Sequence, residues 1–185
     1  MQSSVNIGCG TTYIKGYIGL DRILSPTVDI LADIDGKYLP FVDKCVSHIN
    51  VSHVLEHVRN LDLLMAEMHR ISRPSGYLSI KVPHFSSMYA WTDPTHVRAF
   101  TSFTFDYFAV DAKNGYLSKG WSVIFKKISY SMNPRKRSSK VLDAIYPVVA
   151  IIDYFANINI LFCERFWCFW LGGFEELEVS LIKAG

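Results

Sequence analysis

The stretch "SSVNIGCGTTYIKGYIGLDR", Ser3 to Arg22, places a Gly-Cys-Gly corner directly after a short apolar run and an aspartate a few residues later. Val5-Asn6-Ile7 reads as a strand ending in Gly8-Cys9-Gly10, and Tyr17 to Leu20 as a second strand closed by Asp21. Gly8 and Gly10 remove Cβ atoms where the backbone must bend and where a ligand can approach it closely. In open α/β sheets ligands bind at the carboxyl ends of the strands. A carboxylate there accepts the hydroxyl protons of a ribose, which is the role expected of Asp21. A third strand, Val28 to Ala32, ends in Asp33, placed to accept from an exocyclic amine such as that of adenine. The pattern describes a nucleoside cradle. The residues between Gly10 and Tyr17 leave no space for a helix to hold a pyrophosphate, and the third glycine of the dinucleotide fingerprint is absent, which argues against NAD or FAD.

The rest of the chain fits the same architecture. Cys45 to Val51 is a β-branched strand. Leu61, Leu64, Met65, Met68 and Ile71 then follow the helical period, Pro74-Ser75-Gly76 punctuates the helix end, and Tyr77 to Val82 is a fifth strand. Strands alternating with crossovers predict a Rossmann-like, mainly parallel α/β sheet with flanking helices. Residues 84–120 read as an excursion on the substrate side, with Trp121 to Tyr130 a sixth strand and Leu177 to Ile182 the last. Residues 141–171 form an apolar helical segment. With 185 residues and no linker or internal repeat, residues 1–185 are expected to be one domain. A net charge of +2 gives no reason to expect nucleic acid as a partner. Four cysteines without a CxxC pair, and no signal-like start, lead to the expectation of a cytoplasmic protein.

The ordered segments "VNIGCG", "YIGLD", "ILADIDG", "LPFVDKCVSHINVSHVLEHV" and "LLMAEMHRISRPSGYLSIKVP" together resemble the class I S-adenosylmethionine-dependent methyltransferases, in their small type 11 branch. The resemblance spans roughly the first half of the chain and departs from the family in lacking its usual first helix. It implies S-adenosylmethionine as cofactor. The Gly8-Cys9-Gly10 corner would then lie against the methionine part, Asp21 would take the ribose hydroxyls, and Asp33 with the backbone of Ile34 would take the adenine. Ser52 and His53 would border the methyl group. A segment like "DPTH…FT" (Asp93 onward) follows the fifth strand in relatives that act on saccharides or similar polar acceptors.

Methyl transfer from a sulfonium requires alignment of the acceptor and exclusion of water, and a hydroxyl acceptor must also lose its proton. His96 and His84 are the candidate bases, with Asp93 to orient them. Arg98, for an anionic group, and Trp91 are the candidates for holding the acceptor. The other aromatics of the excursion are expected to pack over the sheet. The expected reaction is methylation of a small polar or saccharide-type molecule at oxygen. The alternatives are a non-catalytic S-adenosylmethionine-binding module and a zinc hydrolase using His53-Val54-Leu55-Glu56-His57, because H-x-x-E-H is also a zinc-peptidase signature. The second lacks helical context and a third ligand, so no metal is assigned. The basic run Arg135, Lys136, Arg137 and Lys140 ahead of the apolar segment raises peripheral membrane contact; packing on the core or in a homodimer is the simpler expectation.

Overall fold

The computed structural model describes residues 3–35, 38–111, 120–130, 140–170 and 172–184. Their centre is a seven-stranded sheet of β1 (Ser3–Ile7), β2 (Tyr17–Asp21), β3 (Ile30–Leu31), β4 (Val46–Ser52), β5 (Ser72–Pro83), β6 (Trp121–Ser129) and β7 (Glu176–Lys183). The spatial order is β3-β2-β1-β4-β5-β7-β6. The first five strands run parallel, and β7 is antiparallel to both β5 and β6. Strand order reverses between β1 and β4, and that switch point is where an open α/β sheet binds its ligand.

The buried positions follow the sequence pattern. Val5, Ile7, Ile49, Val51, Leu78, Ile80, Leu177, Val179 and Leu181 form the core of the central strands. Helix α1 (Leu61–Ile71) buries Leu61, Leu64, Met65, Met68 and Ile71 on one stripe. Its start is capped by the Asn60 side chain, which accepts from Leu63 N–H at 3.1 Å, and Asp35 Oδ1 accepts from the N–H groups of Arg59 and Asn60. Residues 8–16, between β1 and β2, contain no helix. A glycine corner and turns make the connection in its place.

The third and fifth strands depart most from the sequence expectation. The third strand is only Ile30–Leu31, since Asp29 turns back to bond Gly19, its carboxylate accepting from Gly19 N–H at 2.8 Å. The fifth strand begins at Ser72, directly after the helix. Pro74-Ser75-Gly76 is an irregularity inside it rather than a stop between elements, and pairing with β4 shifts from Val46–Ser72 to His48–Tyr77.

The excursion after β5 contains the short helix α2 (Tyr89–Thr92) and a 3₁₀ turn at Thr104–Phe108. Beyond β6, α3 (Lys140–Ile158) and α4 (Ile160–Phe162) lead through a π turn at Cys163–Trp167 into α5 (Cys168–Trp170). Among the described residues no single helix is long and apolar enough to cross a membrane; Pro147–Ile158 and Ile160–Trp170 would qualify only as a pair, and they are bent by 107°. The segment does not sink into the core as a whole. Val149, Ala156 and Cys163 are buried, while Ile151, Phe155, Phe162, Phe166, Phe169 and Trp170 are exposed. Arg135, Lys136 and Arg137 lie outside the described residues.

Candidate active site

At the carboxyl ends of β1, β2 and β4 lies a cleft of about 310 Å³, lined among others by Gly8, Gly10, Asp21, Asp33, Ile34, His53 and His57. Its floor is the glycine corner. Gly8 has φ +66, and a Cβ there would stand 2.2 Å from Val54 Cγ2. Only glycine accepts both that backbone and that neighbour. Gly10, at φ +53, has open space where its Cβ would be. The corner is tied down from the second strand. Gly8 and Cys9 N–H donate to Leu20 C=O, and Ser25 and Thr27 hydroxyls donate to Gly10 C=O.

Asp21 joins this corner to the cleft. Its Oδ2 accepts from Gly10 N–H at 2.8 Å and its Oδ1 from Ile23 N–H at 2.9 Å. Each carboxylate oxygen retains a further lone pair for a ligand hydroxyl. Asp33 is exposed at the cleft mouth and also closes a local turn, accepting from Asp35 N–H at 3.1 Å. Cys9 does not line the cleft: it is buried, and its thiol donates to Thr27 C=O at 3.6 Å. Ser52 ends β4 without lining the cleft.

Past β4 the chain turns sharply through His53, at φ +55, the kind of backbone that clusters at functional sites. His53 Nε2 lies 3.3 Å from Glu176 and Nδ1 3.6 Å from Glu56. Hydrogen bonding first to Glu176 and then to Glu56 lifts the imidazole to a pKa of about 9. His53 therefore stands at the cleft as a cation paired with two carboxylates.

The excursion folds onto this turn. Val97 N–H donates to Glu56 C=O at 2.8 Å, which sets His96 against His57 with ring centroids 4.6 Å apart. Thr95 lines the cleft. Asp93 accepts from both the N–H and the hydroxyl of Thr95, at 2.8 and 2.7 Å, and these bonds hold its carboxyl below the usual range. The Thr95 oxygen in turn meets His57 Nδ1 at 2.9 Å. Asp93 thus orients His57 through Thr95; its carboxylate is 3.9 Å from His96.

Other expected residues lie elsewhere. His84 is fully buried between Ser86 Oγ at 2.7 Å and Glu164 Oε1 at 3.0 Å. It cannot serve as a base at the cleft, and its role is to anchor the excursion. Trp91 is 70 % exposed on α2, with its ring N–H donated to Phe85 C=O, and does not line the cleft. Arg98 borders a neighbouring hollow with Arg59, Asn60 and Tyr107, its guanidinium donating to Arg59 C=O. His57, named from the sequence only within the zinc alternative, and Thr95 both line the cleft, outside the set expected to hold the cofactor or acceptor. The signal for both was the adjacency of "HVLEH" and "DPTH" in space, which no spacing along the chain displays.

Residues 22–80 match a family model described as a methyltransferase domain, a span that includes Asp33, Ile34, His53 and His57 but not the glycine corner. No curated protein matches the sequence. The fold is similar to that of an S-adenosylmethionine-dependent methyltransferase from Archaeoglobus fulgidus, at a TM-score of 0.58 and 20% identity over 98% of this chain and 86% of that one. A second such enzyme, from Mesorhizobium loti, gives 0.54 and 15% over 97% and 90%. Coclaurine N-methyltransferase, solved with N-methylheliamine and SAH, gives 0.57 and 18% over 97% and 65%. At these identities the likeness is one of fold. The family match over residues 22–80 and the likeness of fold both agree with the cleft: the chain has the fold of these methyltransferases.

Proposed function

We propose that this protein methylates a small polar or saccharide-type acceptor at oxygen. The observation that carries the reading is the shared rim. Gly8, Gly10, Asp21 and Asp33 face one cleft, and the excursion brings Thr95, and behind it His96, to the side of that cleft formed by His53 and His57. The cleft volume lies in the range of small-molecule sites, and its three aspartates, Asp21, Asp33 and Asp35, suit a cationic nucleoside ligand. When bound, S-adenosylmethionine supplies an electrophilic sulfonium methyl.

The protein's own work is then positional. Asp21 holds ribose hydroxyls while keeping the glycine corner in shape, and Asp33 with the Ile34 backbone meets the base. The excursion adds Thr95 to the wall of the cleft on the His57 side. A hydroxyl acceptor needs its proton removed, and Glu56, His57 and His96 are the groups clustered where that would occur.

Calorimetric titration with S-adenosylmethionine, repeated on Asp21→Ala, tests the cofactor assignment. A loss of at least tenfold in affinity, about 1.4 kcal/mol, is expected. Unchanged affinity in the variant would remove the ribose role. Release of S-adenosylhomocysteine in the presence of hydroxylated acceptors tests turnover. Binding without turnover on any acceptor would favour the non-catalytic module.

A further inference from the structure

We propose that Glu56, His57 and His96 form a binding site for a single divalent transition-metal ion of the zinc type at the edge of the cofactor cleft. Each of the three offers a ligand atom, and these atoms lie within 4.8 Å of one another. The hydrogen-bond pattern around them leaves lone pairs available. Thr95 donates its only hydroxyl proton to Asp93, so it can only accept from His57, whose Nδ1 must carry the hydrogen. His96 Nδ1 faces the carbonyl oxygen of Ala90 at 3.2 Å, which again only accepts. In the neutral tautomer that these partners select, each imidazole presents an unprotonated Nε2, that of His96 standing 3.9 Å from Asp93 Oδ2. Glu56 is 2 % exposed, and its Oε2 has no hydrogen-bond partner among the described residues.

A buried carboxylate oxygen without a partner is costly, and two imidazole lone pairs beside it add nothing that could satisfy it. A cation satisfies all three. Two histidines and a glutamate are a ligand set of catalytic zinc sites, which keep a coordination position open. Zinc bonds of about 2.0–2.2 Å would bring the ligand atoms to roughly 3.3 Å apart, so side-chain rotations of about 1 Å complete the site. The Asp93–Thr95–His57 relay is the outer hydrogen-bonded support that metal-bound histidines require. This set differs from the zinc-hydrolase reading of the same motif. That reading paired His53 with His57, whereas the structure turns His53 toward Glu176 and supplies His96 from the excursion.

His57 lines the cleft, which puts an ion held by it at the cleft's edge, within reach of an acceptor bound there. Resting on the methyl-transfer reading, the ion's role is to bind an acceptor hydroxyl and lower its pKa. The hydroxyl then gives its proton to solvent, and its oxygen forms the new bond to the methyl carbon. The breaking C–S bond leaves its electron pair on the sulfur of S-adenosylhomocysteine.

The test is metal binding by the full chain after chelator dialysis, followed by calorimetry with Zn²⁺ and by visible absorption with Co²⁺. One equivalent is expected, with Co²⁺ ligand-field bands and no thiolate charge-transfer band. His57→Ala and His96→Ala should each weaken binding by more than the roughly 10–100-fold that loss of an outer partner costs, and Thr95→Val should fall within that range. Glu56→Gln preserves shape if an alanine variant fails to fold. Zn²⁺ should raise the melting temperature of the unsubstituted protein and not that of Glu56→Gln. Absence of saturable binding, unchanged affinity in His57→Ala and His96→Ala, or a thiolate band assigning the metal to cysteine would each overturn the site. The readout is independent of S-adenosylmethionine: metal binding without cofactor binding would leave this site standing and remove the methyl-transfer reading alone.

Discussion

Gly8 is the residue at which local backbone and site chemistry are least separable. Its φ of +66 and the 2.2 Å approach of a notional Cβ to Val54 Cγ2 mean that Gly8→Ala strains the turn and pushes Val54 into the cleft. The expected cost is about 1–3 kcal/mol of stability, read by denaturant melts, together with loss of S-adenosylmethionine affinity. Gly10→Ala meets no neighbour in the protein, yet φ +53 strains it, so it should lose less stability while still losing ligand affinity. Equal stability losses in the two variants would refute this account of the corner. The acids at this scale have double duties. Asp21 clamps Gly10 and Ile23 as well as facing the cleft, and Asp33 closes a turn as well as bordering it. A carboxylate has enough lone pairs to serve both roles.

Among the elements, the helical segment after β6 is attached through apolar residues such as Ala156 and Cys163 in the core and through a few polar side chains. Asn157 on α3 both accepts from Ile128 N–H at 2.9 Å and donates to Ile128 C=O at 2.7 Å, and Asp153 accepts from Tyr130 N–H at 3.0 Å. These bonds occupy backbone groups that the outer strand β6 would otherwise leave unpaired. Asn157→Ala should cost about 1–3 kcal/mol, with faster amide exchange at Ile128 as the local signature. Glu164, in the π turn, ties the segment to the excursion by accepting from Ser102 N–H at 2.7 Å and bonding His84 at 3.0 Å. Burial pushes its carboxyl up, but the bonds from His84 and Ser102 outweigh burial and hold it below its ordinary value of 4.5. A carboxylate depressed in the folded state contributes stability above its unfolded pKa and loses it as pH falls through the folded value. Acid melts of the unsubstituted protein should therefore steepen below about 4.5, and Glu164→Gln should flatten that limb. Identical acid limbs would show that these hydrogen bonds to Glu164 add nothing.

At the scale of the whole molecule, ligand and stability are linked. If the cleft binds the folded state alone, S-adenosylmethionine at 100 times its Kd should stabilise the protein by about 2.7 kcal/mol, seen as a rise in melting temperature that Asp21→Ala largely abolishes. The exposed apolar side of α3 to α5, with Phe155, Phe169 and Trp170 all more than 60 % exposed, exceeds what scattered surface residues present. Light scattering without detergent and cosedimentation with anionic vesicles separate the two expectations for this face, homodimerisation and peripheral membrane contact.

The succession of strands along the chain, the helix at Leu61–Ile71, the missing first helix and the placing of glycines and acids at strand ends could all be read from the sequence. Each depends on neighbours within a few residues, through the periods of strand and helix and the bending that only glycine permits. Residues such as His84, His96 and Trp91 share one aromatic, histidine-rich stretch with no clean period, so their surroundings were not visible along it. Packing decided that His84 is sealed against Glu164, 80 residues away, that Trp91 faces outward, and that His96 meets His57 and Glu56. The β4 turn and the excursion come together because parallel strands deliver their following loops to one edge of the sheet. Which side chains then converge there is a property of three dimensions alone.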